Sequence, residues 1–357
     1  MRGGEKVLEA LCRLFPQAEL YTLVHRRGSV SPLIENRRVH RSVVAGLPLA
    51  ATRYREYLPL FPFAIEQFDF DGYDLVISSS HCAAKSVVVP GRTTHVCYCH
   101  SPMRYAWDQF DAYFGADRVG RVGSSLLRRV MAHLARWDRA TADRPDRYVA
   151  NSQYVAGRID RYYNRVASVV YPPVDTDFFT PDATRPRNHY LIVSALVPYK
   201  RVEIALEACR SLGRPLIVAG DGPDRARLEK TAGPDVSFIG SQSNDQLREL
   251  YQSAHAVLLP GEEDFGIVPV EAQACGTPVV AFGRGGALET VQDGVTGILV
   301  DQQTPDAFAA GIERAGQIAW DRAGIRASAE RFTEAAFALG FSAIVEETLA
   351  RRASGHA

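Results

Sequence analysis

Short apolar, β-branched runs, each closed by Gly or Pro or soon followed by one, recur through the second half of the chain: His189–Ala195, Arg214–Gly220, Val236–Gly240, His255–Pro260, Thr277–Phe282 and Thr296–Val300. Runs of this length without polar alternation predict strands buried on both faces, as in a parallel sheet. Patterns with helical spacing fill the gaps at Arg201–Gly213, Asp224–Gly233 and Asn244–Ala254. Strand and helix in alternation predict an α/β doubly wound sheet with helices on both faces.

The first half repeats the pattern less regularly. Strands are expected at Ala18–Val24, Tyr73–Ser80, Lys85–Pro90, Thr94–His100, Asp146–Ser152 and Ala167–Val174, with a long amphipathic helix over Gly123–Ala142. Pro172 and Pro173 interrupt the chain and mark a linker. Thr333–Arg352 carries apolar residues at helical spacing and predicts a final helix. The expected division is residues 1–172 with the C-terminal helix, about 333–357, as one domain, and 173–332 as the other. Gly3 and Gly4 open a turn and helix without the strand that normally feeds them. Roughly fifteen residues of strand and loop are therefore expected to be missing from a truncated or misassigned start; the alternative is a domain that does without that strand, which leaves a gap or an edge in its sheet.

At 357 residues and 46% hydrophobic composition, the chain supports two cores of ordinary size. It has no run of eighteen apolar residues, so no membrane-spanning helix is expected, and Met1 leads into a helix-like stretch rather than a secretory leader. Six cysteines, at 12, 82, 97, 99, 209 and 275, fall mostly in apolar runs and read as reduced core thiols of a cytosolic protein. The net charge of zero conceals an asymmetry: residues 1–172 hold 24 Lys and Arg against 16 Asp and Glu, and the remainder 17 against 25. A basic half suits an anionic partner such as a phosphorylated lipid or the inner face of a membrane. The alternative is that its arginines only solvate helices. No nucleic-acid motif accompanies the charge.

Candidate chemistry concentrates at Pro260–Phe282, where Glu263 and Glu271 flank a turn containing Gly266 and Pro269. Gly266 lets backbone approach a ligand closely, and Pro269 suits the first turn of a helix. The amides of Phe265, Gly266 and Ile267 lie where a helix N-terminus attracts phosphate. Carboxylates accept hydrogen bonds from vicinal diols. Two acids beside such a turn suit a ligand with both a diphosphate and sugar hydroxyls. The two acids have seven residues between them. With Gly3-Gly4, Leu196–Arg201 (LVPYKR), Ala219–Pro223, Cys275–Phe282 and Gly294–Val300, they resemble the signature of the family 4 retaining glycosyltransferases. Cys97–Asp108 (CYCHSPMRYAWD) is similar to the subgroup of bacterial polysaccharide and O-antigen mannosyltransferases.

The resemblance implies the GT-B fold, two facing Rossmann-like domains with ligands at the carboxyl ends of their sheets. It implies that Glu271 holds the donor ribose and Glu263 the donor-sugar hydroxyls. Lys200 would neutralise the departing diphosphate, and His100 would approach the reacting sugar. Gly3, Gly4, Arg201, Phe265, Gly266 and Ile267 complete the implied donor site. One position departs from the family pattern: its usual Arg, five residues before the Lys, is here Ala195, and Arg201 is the adjacent cation.

Other motifs read as structural. Asp69–Asp71 and Asp175–Asp177 imitate a metal-binding Asp-x-Asp but read as turns, and Cys97-x-Cys99 lacks the spacing of a structural zinc site. No metal and no cofactor are expected. Gly220–Arg225 is not a dinucleotide fingerprint, since Arg225 stands at its third glycine. The helix Gly123–Ala142 carries a stripe of Leu127, Val130, Met131, Leu134 and Trp137, flanked by Arg121, Arg128, Arg129, Arg136 and Arg139. Such a stripe suits core packing or, alternatively, an anionic lipid surface. The expected activity is retaining hexosyl transfer in cell-surface polysaccharide synthesis. The subgroup suggests mannose from GDP-mannose, with a UDP-sugar as the alternative donor and a saccharide or lipid-diphosphate-linked saccharide as acceptor. A GT-B sugar epimerase and a non-catalytic nucleotide-sugar-binding protein are the alternatives from other classes.

Overall fold

The computed structural model describes residues 3–354, with Ala112 and Arg118 described by their backbone alone. The chain divides into two compact units, Met1–Pro173 with Ala335–Ala357, and Val174–Glu334.

The first unit contains β1 (Leu20–Thr22), β2 (Val39–Arg41), β3 (Leu75–Ser80), β4 (Thr94–Cys99), β5 (Arg147–Ala150) and β6 (Ala167–Val169). Strands β3, β4, β5 and β6 form a parallel sheet in that order. Every residue of β4 is buried, and its period of two divides the side chains between two layers. Val96 and Tyr98 meet Val7, Ala10 and Leu11 of the helix Gly3–Leu14 and Phe337, Phe341 and Val345 of the final helix, Glu334–Ala353. Cys97 and Cys99 meet Val155, Ile159 and Tyr163 of the helix Gln153–Tyr163. All six cysteines are buried and free.

The strand expected at Ala18–Val24 shrinks to β1, which pairs only with β2 in a separate parallel sheet. Among the described residues no ladder joins either strand to β3. Side chains make the link instead: the Tyr21 and Tyr73 hydroxyls lie 3.1 Å apart, Tyr73 donates to Glu19 at 2.8 Å, and the Tyr21 ring packs on Phe68 and Phe70.

The strand expected at Lys85–Pro90 does not form. Ala84–Ser86 makes one 3-10 turn, because two polar side chains turn inward. Lys85 Nζ sits 3.1 Å from Asp138 Oδ1 and donates to the Asp138 carbonyl at 2.6 Å and to the Thr141 hydroxyl at 3.1 Å. The Ser86 hydroxyl lies 2.6 Å from that of Thr141. Trp107 Nε1 and the Tyr163 hydroxyl donate to Asp138 Oδ2 at 2.8 and 2.9 Å. The Lys85 and Asp138 side chains are 1% and 0% exposed. A valine-rich run reads as a strand, and nothing in its periodicity registers a buried ion pair 53 residues away in sequence.

Asp138 belongs to a helix spanning Ala116–Ala140, in which Gly120 turns the chain at φ 75, ψ 162, so that residues 121–140 form the continuous part. Met131 and Leu134 are buried, and Val130 and Trp137 pack on the same core. The stripe read from the sequence thus faces inward.

The second unit contains β7 (His189–Val193), β8 (Leu216–Ala219), β9 (Val236–Gly240), β10 (Ala254–Leu259), β11 (Val279–Phe282) and β12 (Gly297–Val300). All pair in parallel, in the order β12-β11-β10-β7-β8-β9. Each falls within a run predicted from the sequence or overlaps it. The winding reverses between β7 and β10. In open α/β sheets the crevice outside the strands' carboxyl ends at such a reversal is where ligands bind.

Buried histidines make the fold acid-sensitive. Burial lowers His95 to about 4, with Nε2 2.8 Å from the Ser78 hydroxyl. Burial, then His255, lowers His189 to about 4. The ordinary value is about 6.5. As pH falls the unfolded chain takes up protons first, so the stability these groups confer is complete above about pH 6.5 and is lost toward pH 4. The loss expected by pH 4.5 is on the order of a few kcal/mol. Thermal melts at pH 7.5, 5.5 and 4.5 check this, and an unchanged midpoint contradicts it.

Candidate functional site

Lys200 and Glu263 stand on the loops that follow β7 and β10, the two strands flanking the reversal. After β7 the chain makes a 3-10 turn over Pro198–Lys200. Arg201 then adopts a left-handed conformation (φ 50, ψ 37) as the N-cap of the helix Val202–Ser211. Glu263 follows β10. Lys200 Nζ donates to Glu263 Oε1, so the two loops meet through an ion pair.

The Glu263 loop is held by close backbone contact. The Gly286 amide donates to the Glu263 carbonyl at 2.8 Å, and Glu263 pairs with Gly285 as an isolated parallel bridge. A Cβ on Gly286 would lie 2.3 Å from the Phe265 Cα. Only glycine permits this approach. The Phe265 side chain turns inward, edge-on to Phe332 at 5.3 Å between centroids. Gly266 (φ 88, ψ 92) then caps the helix Ile267–Ala274, a conformation that favours glycine. The amides of Phe265, Gly266 and Ile267, named from the sequence as candidate phosphate donors, thus lie at the start of that helix.

Glu271 lies on this helix and is only 3% exposed. Its Oε2 accepts from the Tyr251 hydroxyl at 2.8 Å. The structure thus brings Lys200, Glu263, Phe265, Gly266, Ile267 and Glu271 onto connected elements at one end of the sheet. Arg201 goes elsewhere: its Nε donates to Glu203 at 2.9 Å and its Nη1 lies 3.5 Å from Gln303 Oε1. Gln303 donates onward to the Pro260 carbonyl at 2.8 Å.

His100 closes β4 in the first unit. Its Nε2 lies 2.8 Å from the Ser79 hydroxyl, and its carbonyl accepts from Asn151 Nδ2 at 3.0 Å. Burial, with His81 adding to it, lowers its pKa to about 3, so the ring is neutral at physiological pH. A Cβ on Gly4 would lie 3.6 Å from His100 Nε2, so the start of the helix Gly3–Leu14 adjoins this ring, and the turn expected at Gly3 and Gly4 is the first turn of that helix. Asp69 and Asp175 accept from the amides of Asp71 and Phe178, at 2.9 and 3.0 Å, and form the expected turns. Among the described residues no group of three His, Cys, Asp or Glu gathers as a metal site, and no helix is long and apolar enough to cross a membrane.

Sequence reading missed Tyr251, Gln303, Ser79 and the Gly285-Gly286 contact. The available signal at Tyr251 was a residue with a polar tip at a core-facing position of a helix.

Residues 174–336 match the family model described as glycosyl transferases group 1, and residues 1–178 match that of glycosyltransferase family 4. The D-inositol 3-phosphate glycosyltransferase of Mycolicibacterium smegmatis is 36% identical over 192 residues, 46% of this chain and 44% of that protein. Its counterpart from Mycobacterium avium is 33% identical over 256 residues, 61% of this chain and 60% of that protein. The chain thus spans about half the length of such relatives. Among solved structures, Anabaena HepE in complex with UDP aligns with a TM-score of 0.67 at 19% identity, covering 97% of this chain and 96% of that one. Sucrose-phosphate synthase from Thermosynechococcus elongatus aligns at 0.69 and 20%, covering 97% and 92%. These structural likenesses identify the fold as GT-B, with two Rossmann-like domains. The two family models together account for residues 1–336, and the chain belongs to the family 4 glycosyltransferases.

Proposed function

We propose that the chain is a retaining hexosyltransferase that uses a nucleoside diphosphate sugar as donor. The observation that carries this reading is the Lys200–Glu263 ion pair, which spans the loops after β7 and β10, with Glu271 on the helix that begins beside it. In this reading the amides at the start of Ile267–Ala274 receive the diphosphate, Glu271 receives the ribose hydroxyls, and Glu263 exchanges Lys200 for hydroxyls of the donor sugar. Lys200 then turns to the diphosphate. The bond between the anomeric carbon and the phosphate oxygen breaks with its electron pair going to the diphosphate. The acceptor oxygen bonds to the same face of the sugar, and its proton passes to the departing phosphate. The protein supplies orientation and charge stabilisation. Neutral His100 offers the reacting sugar a hydrogen bond rather than a charge. With Lys200 and the helix amides carrying the charge, the reaction is proposed to need no metal, and EDTA should leave its rate unchanged.

GDP-mannose is the donor implied by the sequence resemblance, while HepE's complex with UDP supports a UDP-sugar. The first unit holds 26 Lys and Arg against 18 Asp and Glu, which favours an anionic acceptor. A lipid-diphosphate-linked saccharide and an inositol phosphate, the latter from the relatives' name, are the two acceptors to compare. Thermal shift with GDP, UDP, GDP-mannose and UDP-glucose tests the reading, and stabilisation by none of them overturns it. Glu271→Ala is expected to raise the donor KM about tenfold or more with a small change in kcat, as loss of a charged hydrogen bond of about 1.5–3 kcal/mol implies. Sugar turnover without an acceptor would favour the epimerase reading. Binding with neither transfer nor hydrolysis would favour the non-catalytic one.

A second observation favours peripheral attachment to an anionic membrane. Beyond the inward stripe, the helix 121–140 presents Val122 at 84% and Leu126 at 62% exposure, with exposed Arg121, Arg129 and Arg136. Apolar and cationic groups on one exposed helix suit the headgroup region of an acidic bilayer. Val122→Glu with Leu126→Glu is expected to abolish sedimentation with phosphatidylglycerol vesicles and to leave nucleotide binding intact. Equal sedimentation of both proteins contradicts the assignment.

A further inference from the structure

Tyr251 lies on the helix Asn244–Ser253 and is fully buried, and its hydroxyl donates to Glu271 Oε2 at 2.8 Å. The residue is itself held on several sides. Phe179 meets its ring edge-on at 5.8 Å between centroids, and the Thr277 hydroxyl donates to its carbonyl at 2.7 Å. Arg326 fastens the segment that carries Phe179, donating to the carbonyls of Thr176 and Phe179 at 3.1 and 2.9 Å. Gln252, the next residue of the Tyr251 helix, donates to the Thr180 carbonyl at 2.7 Å.

A glutamate side chain has three rotatable bonds, and fixing one carboxylate oxygen selects one arrangement of them in advance of ligand. Burial, reinforced by the Glu271 charge, pushes the Tyr251 hydroxyl well above its ordinary range. It therefore remains a donor at any pH the protein meets. A phenylalanine would fill the same space without this bond.

We propose that Tyr251 is a positioning residue that holds the Glu271 carboxylate ready for the ribose hydroxyls of a nucleoside diphosphate. The inference rests on the reading above that Glu271 binds ribose. Pre-organisation of this kind strengthens binding by removing the need to order the side chain when ligand arrives.

The test is calorimetric titration of wild type, Tyr251→Phe, Glu271→Ala and the double variant with UDP, GDP and their 2′,3′-dideoxy analogues. Tyr251→Phe is expected to weaken the better-binding ribonucleotide by up to about tenfold, the cost of ordering one flexible side chain when ligand arrives. The dideoxy analogue should bind the variant as it binds wild type, and Tyr251→Phe should add nothing in the Glu271→Ala background. A packing defect would weaken both nucleotides alike. Wild-type affinity in Tyr251→Phe, equal losses for the ribo and dideoxy forms, or full additivity with Glu271→Ala overturns the proposal. Glu271→Ala binding UDP and GDP as wild type does would instead overturn the ribose assignment, and the proposal with it.

Discussion

Lys85→Met is expected to destabilise the first unit by about 3–5 kcal/mol, the usual penalty for breaking a buried ion pair from one side. The substitution keeps most of the side chain's volume and removes its charge. Asp138 would remain wholly buried, with the Trp107 and Tyr163 donors on Oδ2 and no cation near Oδ1. The Lys85 bonds to the Asp138 carbonyl and the Thr141 hydroxyl would be lost too. Urea unfolding followed by near-UV circular dichroism measures the effect, and a loss under 1 kcal/mol contradicts the argument. The double variant Lys85→Met, Asp138→Asn should recover part of the stability, because no net charge is then left buried. Trp107 lies seven residues after His100, so a loosened Asp138 should also release the segment between them.

Lys200→Ala is expected to lower kcat about 10²–10³-fold, the size seen when one pre-organised electrostatic contact to a developing charge is removed. The donor KM should change much less, because the diphosphate gains negative charge chiefly as the sugar departs. Two effects act in the same direction. The leaving group loses its ammonium, and Glu263 loses its ion-pair partner and is left as an acid close to an anionic ligand. Lys200→Arg should retain part of the rate, since the charge stays while the fit of the ion pair changes. Steady-state kinetics with the donor that transfers gives the answer, and a kcat within threefold of wild type removes Lys200 from the chemistry. Arg201 does not offer an obvious substitute: the chain turns left-handed there and its guanidinium engages Glu203.

The second unit was legible because its strands are buried on both faces, and such strands appear in sequence as unbroken apolar runs. All six were placed within a few residues, and so were the turn at Gly266 and the two acids. The first unit was harder because its structure depends on polar groups brought together from distant parts of the chain. Lys85 and Ser86 leave the valine run to meet the helix that carries Asp138 and Thr141. Glu19 and Tyr73 join a short ribbon to the remainder of the unit where no strand ladder does. Glu271 was readable from its spacing, whereas its partner was not. Tyr251 lies 20 residues earlier and occupies an ordinary apolar position of its helix, and only the folded chain shows its hydroxyl meeting the acid.

The final helix gives Phe337, Phe341 and Val345 to the core of the first unit, while Val174 and Thr333 pair where the chain enters and leaves the second. On the ribosome, residues 174–334 therefore emerge complete before the last piece of the earlier unit's core exists. Domains generally fold as units while synthesis proceeds. Here the part begun first is finished last, and until then Val96, Tyr98 and Val149 lack one side of their cover. Apolar surface left open in that interval favours aggregation.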